Sequence, residues 1–164
     1  MSARTGRILT VATSVLLIIA LALGITWVAL ERGASGKDRS ASAREQALAV
    51  ARQVAVNINS YDYDKLGAQF TRVQAELTGK ALADFTQNKD NIAKQLTTNQ
   101  EHASAQILDA ATVSARQDEA TELIALAISF VTPRGRAGPS TSYAQVHLVR
   151  NQGRWVVDVF QAVA

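Results

Sequence analysis

Residues 8–30 read "ILTVATSVLLIIALALGITWVAL", 23 positions without a charge. A helix of that length rises roughly 34 Å, against a bilayer core of roughly 30 Å. It has no polar stripe, which a soluble surface helix would show. Trp27 sits near its far end, where an indole suits the lipid–water interface. A cleaved signal peptide has a shorter apolar region ending in small residues. This run is longer and closes on "TWVALER", so an uncleaved signal anchor is expected.

Beyond the anchor the pattern changes to helical periods. "ERGASGKDRSASA" is small and polar, a juxtamembrane linker over residues 31–43. A helix is predicted to start near Ala41, with Ala47, Ala51, Val54, Ala55 and Ile58 on one face. Leu66, Phe70, Val73 and Leu77 mark a second helix, starting near Asp62 or Asp64. Leu82, Phe85, Ile92 and Leu96 mark a third, with Thr78 as N-cap and an end near Thr98.

From His102 the period falls to two. "HASAQILDAATVSA" and "EATELIALAISFVT" read as strands; the second is apolar on both faces and is expected to be central. "PRGRAGPSTS" is expected to be a loop. "YAQVHLVR" and "RWVVDVFQ" form a hairpin through "NQG". Three helices followed by four antiparallel strands make an α+β domain over residues 44–164.

Composition narrows the function. The chain has 164 residues and no cysteine, which excludes disulfides, thiol nucleophiles and thiolate zinc sites. Of seventeen basic residues, Arg4 and Arg7 precede the apolar run. Fifteen remain against fourteen acidic ones. A nearly neutral domain with 5% aromatic residues has no footprint for nucleic acid. Charge leaves the topology open. Arg32, Lys37, Arg39 and Arg44 follow the span, which by counting puts the C-terminal side in the cytoplasm. A short tail over residues 1–7 staying inside gives the opposite answer.

Chemistry is sparse. There is no phosphate loop, no G-x-S-x-G and no H-E-x-x-H. In "YDYD", residues 61–64, the aspartates are expected to cap the second helix, with Tyr61 and Tyr63 stapling the turn. No histidine or third acid lies near in sequence to complete a metal site. His147 and Asp158 would form an acid/base dyad if the last hairpin had a two-residue loop. The glycine in "RNQGR" favours a three-residue loop with a bulge, which puts the two on opposite faces and makes His147 an ordinary sheet residue. No cofactor is expected.

Tyr61-Asp62-Tyr63, Phe70, Val73, Thr78-Gly79, Phe85 and Gly153-Arg154-Trp155-Val156-Val157-Asp158, in that order behind one N-terminal span, resemble the Mce-associated membrane proteins of actinobacteria. The resemblance covers nearly the whole chain. It implies a cone-shaped domain like nuclear transport factor 2 (NTF2), no catalytic residues, and a domain outside the cytoplasmic membrane. It also implies transporter subunits of an Mce-type lipid import system as partners. The leading expectation is therefore a non-enzymatic accessory subunit, anchored in the bilayer through residues 8–30. A lipid- or small-molecule-binding cone and an NTF2-like enzyme using His147 and Asp158 are the alternatives. Two surfaces are expected to meet a partner: the small face of the first helix at Ala51 and Ala55, and the basic loop with Arg134 and Arg136.

Overall fold

The computed structural model describes residues 40–163. The expected tail and span lie outside the described residues, as do positions 31–39 of the linker. Among the described residues no helix is long and apolar enough to cross a membrane.

Helix α1 covers residues 40–59, so residues 40–43, read as linker, are helical. Ala43 is already buried in the core, and the small face continues through Ala47, Ala51, Val54 and Ala55. Strand β1 (Tyr61–Asp62), α2 (Leu66–Glu76) and α3 (Gly79–Asn99) follow. Next come β2 (His102–Ala115), β3 (Glu119–Thr132), β4 (Gly135–Asn151) and β5 (Arg154–Val163). The strands form one antiparallel sheet in the order β1-β2-β3-β4-β5. The expected four strands are thus five, because a two-residue strand is too short to leave a period in the sequence. The central position of β3 is as expected.

One face of the sheet carries the core. Ala120, Ile124 and Leu126 of β3, Ala144, Val146 and Leu148 of β4, and Trp155 and Val157 of β5 meet the apolar faces of the helices. Phe70 stacks edge-on against Tyr61 (5.4 Å) and Phe85 (5.5 Å), tying β1, α2 and α3 together. Helix α1 runs along this face. Near its start Gln46 Oε1 accepts a hydrogen bond from Arg150 Nη2 of β4 (2.8 Å). Just past its end the Ser60 hydroxyl accepts one from the Ala105 amide (3.0 Å). Ser40 and the Pro133–Arg134 turn therefore lie at opposite ends of the sheet.

Two connections differ from expectation. "PRGRAGPSTS" is not a loop. Thr132 pairs with Gly135 across a two-residue turn at Pro133 and Arg134, and β4 begins at once. The two breakers in its middle, Gly138 and Pro139, form a bulge opposite Ser129, where a missing amide costs no ladder bond. The last hairpin has a two-residue loop, with Asn151 opposite Arg154 and both Gln152 (φ 50°) and Gly153 (φ 80°) left-handed. Two successive left-handed residues match the twist of the flanking strands, which outweighs the cost of a glutamine there.

Candidate functional site

The "YDYD" segment is a joint. Tyr61 and Asp62 pair with Ala103 and His102, which delays α2 to Leu66. Neither aspartate caps that helix; Lys65 occupies the cap position without a side-chain bond. Asp62 instead gathers neighbours. Its carboxylate lies 2.9 Å from Lys65 Nζ and 2.8 Å from His102 Nδ1. The His102 approach lacks hydrogen-bond geometry, and Asp62 Oδ1 is buried without a hydrogen-bond partner. The Lys65 hydrogen bond holds the Asp62 carboxyl below the usual range, and the same contact raises Lys65. Tyr63 packs edge-on against the His102 ring at 5.0 Å. Among the described residues no group of three His, Asp or Glu side chains is placed to hold a metal ion.

His147 and Asp158 are not on opposite faces. Leu148 pairs with Val157 and His147 with Val159, so Asp158 is the extra residue of a bulge. His147 Nδ1 comes within 3.8 Å of Asp158 Oδ2, both side chains about one-third exposed. That distance is too long for a hydrogen bond. The carboxylate has a closer engagement. Asp158 Oδ1 sits where a Cβ on Gly79 would stand, 1.9 Å from that point, and Gly79 is left-handed (φ 47°) in the first turn of α3. The Thr78 amide donates to the Val157 carbonyl (2.8 Å), and Leu77 bridges Val157 in parallel. "TG" and "WVVDV" are thus two sides of one seam. Asp158 presents its charge to the positive end of α3, and only glycine leaves room for it.

Three further features were not foreseen. Glu122, at an inward position of β3, is fully buried, and neither carboxylate oxygen has a hydrogen-bond partner. Thr112 is its cross-strand neighbour, and that hydroxyl is buried and unpartnered too. Burial pushes the Glu122 carboxyl up; Thr112, Arg44 and Arg52 oppose the shift. The second feature is Tyr61, whose hydroxyl is buried with no partner and whose phenol is raised by desolvation. The third is a groove of about 340 Å³ between the end of α1, α3 and the far ends of β2 and β3, with Tyr61 in its wall. Strand alternation could have flagged Glu122, since it shares the parity of Ile124 and Leu126. The groove joins residues too far apart in sequence for any local pattern to reveal it.

Three helices on one face of an antiparallel sheet, with the α2–α3 junction clasping the last strand, decide the architecture. The domain is an NTF2-like cone.

No family model and no curated relative matches the sequence. Solved structures do match in shape. An IcmL-like type IV secretion system protein from Legionella pneumophila has a TM-score of 0.63 at 11% identity, over 73% of this chain and 91% of that one. The periplasmic domain of DotI gives 0.62 at 9%, over 71% and 91%. The VirB8 protein of Agrobacterium tumefaciens gives 0.52 at 13%, over 70% and 88%. At these identities the likeness shows the fold alone.

The cone redraws the two expected partner surfaces. Ala51 and Ala55 are fully buried and face its core. Their small side chains let α1 lie close on the sheet, which leaves no room there for a partner helix. Arg134 and Arg136 are exposed, at the tip of the β3–β4 hairpin. Among the described residues nothing pairs with Gly135–Ser142 of β4 on the β5 side, so this stretch is an open strand edge. Arginines, a proline and a bulge are also the devices that keep such an edge from pairing with another chain.

Proposed function

We propose that this chain is a non-enzymatic accessory subunit of a cell-envelope assembly, held in the cytoplasmic membrane by residues 8–30 with its cone exported. The carrying observation is the fold shared with an IcmL-like type IV secretion system protein and with the periplasmic domain of DotI. Asp158 in the α3 seam supports the reading against a His147–Asp158 enzyme, since its carboxylate serves the fold. The assembly served is an Mce-type lipid importer. Support for that part is the order of sequence landmarks, two of which, "TG" and "WVVDV", prove to be one structural contact.

The test is affinity purification of the full chain from native membranes. Importer subunits should co-purify. Recovery of secretion-system components in their place would overturn the importer while keeping the accessory role. Recovery of no envelope protein would overturn both. Topology is tested separately by Arg134→Cys, which should react with an impermeant reagent on intact cells.

A further inference from the structure

The end of the sheet that carries the Pro133–Arg134 turn holds a trough with two unlike halves. The inner half is the 340 Å³ groove, where Tyr61, Ile92, Leu96 and Ile128 stand beside polar side chains that include Glu101. That volume falls among ordinary small-molecule sites, roughly 300–1,000 Å³. The outer half shares Phe130 and Glu101 with the groove and adds Arg134 and Arg136. Among the described residues neither arginine has an ion-pair partner. Two guanidinium groups against one carboxylate leave the outer half with an excess positive charge. Glu101 precedes β2 and the arginines stand on the hairpin, so the positive side is the hairpin side.

The trough has a measurable span. Tyr61, Ala103, Phe130 and Ala137 are successive cross-strand partners. Three inter-strand steps of about 4.8 Å give about 14 Å between its ends. At the inner end stands Tyr61, whose side-chain hydroxyl is buried without a partner although the residue lines the groove. A hydroxyl left so is a standing cost, recovered when a bound molecule brings an acceptor.

We propose that this trough binds a single-chain carboxylate amphiphile, its head on Arg134 and Arg136, its chain over Phe130 and Ile128. An oxygen at the far end of the chain accepts from Tyr61. A guanidinium fork matches a carboxylate in shape and charge, which selects this head over a neutral one. The site is independent of which assembly the subunit joins, so its failure would leave the accessory role untouched.

The test uses the full chain in lipid nanodiscs and a dodecanoate carrying a photoreactive group on its chain. The label should map to the Ile92–Leu96 turn and to Ile128–Phe130. Free dodecanoate should compete about tenfold better than dodecanol, the worth of one charge-assisted contact. ω-Hydroxydodecanoate should compete better still. Arg134→Glu with Arg136→Glu should lower labelling about tenfold with an unchanged circular dichroism spectrum, both sites being exposed. Tyr61→Phe should abolish the preference between the two carboxylates. Labelling confined to residues 1–39, equal competition by dodecanol, undiminished labelling of the double variant, or a preference that survives in Tyr61→Phe would each overturn the proposal.

Discussion

Two carboxylates of the sheet, Asp158 and Glu122, are treated oppositely. Asp158 leaves the ladder through a bulge, stays one-third exposed and lies against the first turn of α3. Glu122 stays in the ladder, fully buried on the face covered by the helices, without a hydrogen bond. The first is a partly solvated carboxylate packed on the first turn of a helix. The second is an acid where burial favours the neutral form. The seam at Asp158 is therefore open to water, and the floor at Glu122 is built to exclude a charge.

Breaking the seam should cost most. Gly79→Ala places a Cβ 1.9 Å from Asp158 Oδ1 at a left-handed φ. The expected loss is roughly 2–4 kcal/mol, adding backbone strain to overpacking. In an Asp158→Ala background the same change should cost only about 1 kcal/mol, the backbone share alone. Chemical denaturation of the wild type, the two single variants and the double variant gives the coupling. An equal cost in both backgrounds would show that Asp158 does not define the seam.

The α1 side comes next. Ala51→Leu should lose about 1–3 kcal/mol, because the helix lies too close to the sheet for three more carbons. A neutral result by the same measurement would mean that α1 can lift from the sheet. Glu122 offers a reading by pH. Its folded pKa is raised, so its contribution is fully present below the usual carboxylate range and is lost as pH rises through the folded value. Thermal stability should fall as pH rises through that interval. Glu122→Gln should flatten the slope and gain up to about 1–3 kcal/mol at its alkaline end, where the wild type holds a buried charge without a hydrogen bond. A slope retained in that variant would point to another group. The smallest effect belongs to His147→Gln, within about 0.5 kcal/mol of wild type by denaturation. Association with the envelope assembly should also be unchanged, since His147 only borders the seam.

Much of the architecture was legible in order. Residues spaced by three and four gave the three helices, and both-sided apolarity gave β3 its central place, because these signals repeat within a few residues. The misreadings fall where local composition competes with pairing. "PRGRAGPSTS" has the residues of a loop, yet pairing with β3 makes it strand and puts Pro139 in a bulge. Gly153 suggested a longer loop, yet strand twist selects a shorter one. Ala51 and Ala55 were correctly placed on one small face, and the partner of that face proved to be the sheet.

The sequence by itself determined the order of elements, the apolar faces and the near-neutral charge, all of which depend on neighbours along the chain. Only the tertiary structure decided that Thr78-Gly79 meets Asp158, that Tyr61 and Phe130 line one groove, and that Glu122 has no hydrogen-bond partner. Those facts join residues dozens of positions apart. They depend on register and bulges, where a shift of one residue turns a side chain to the other face.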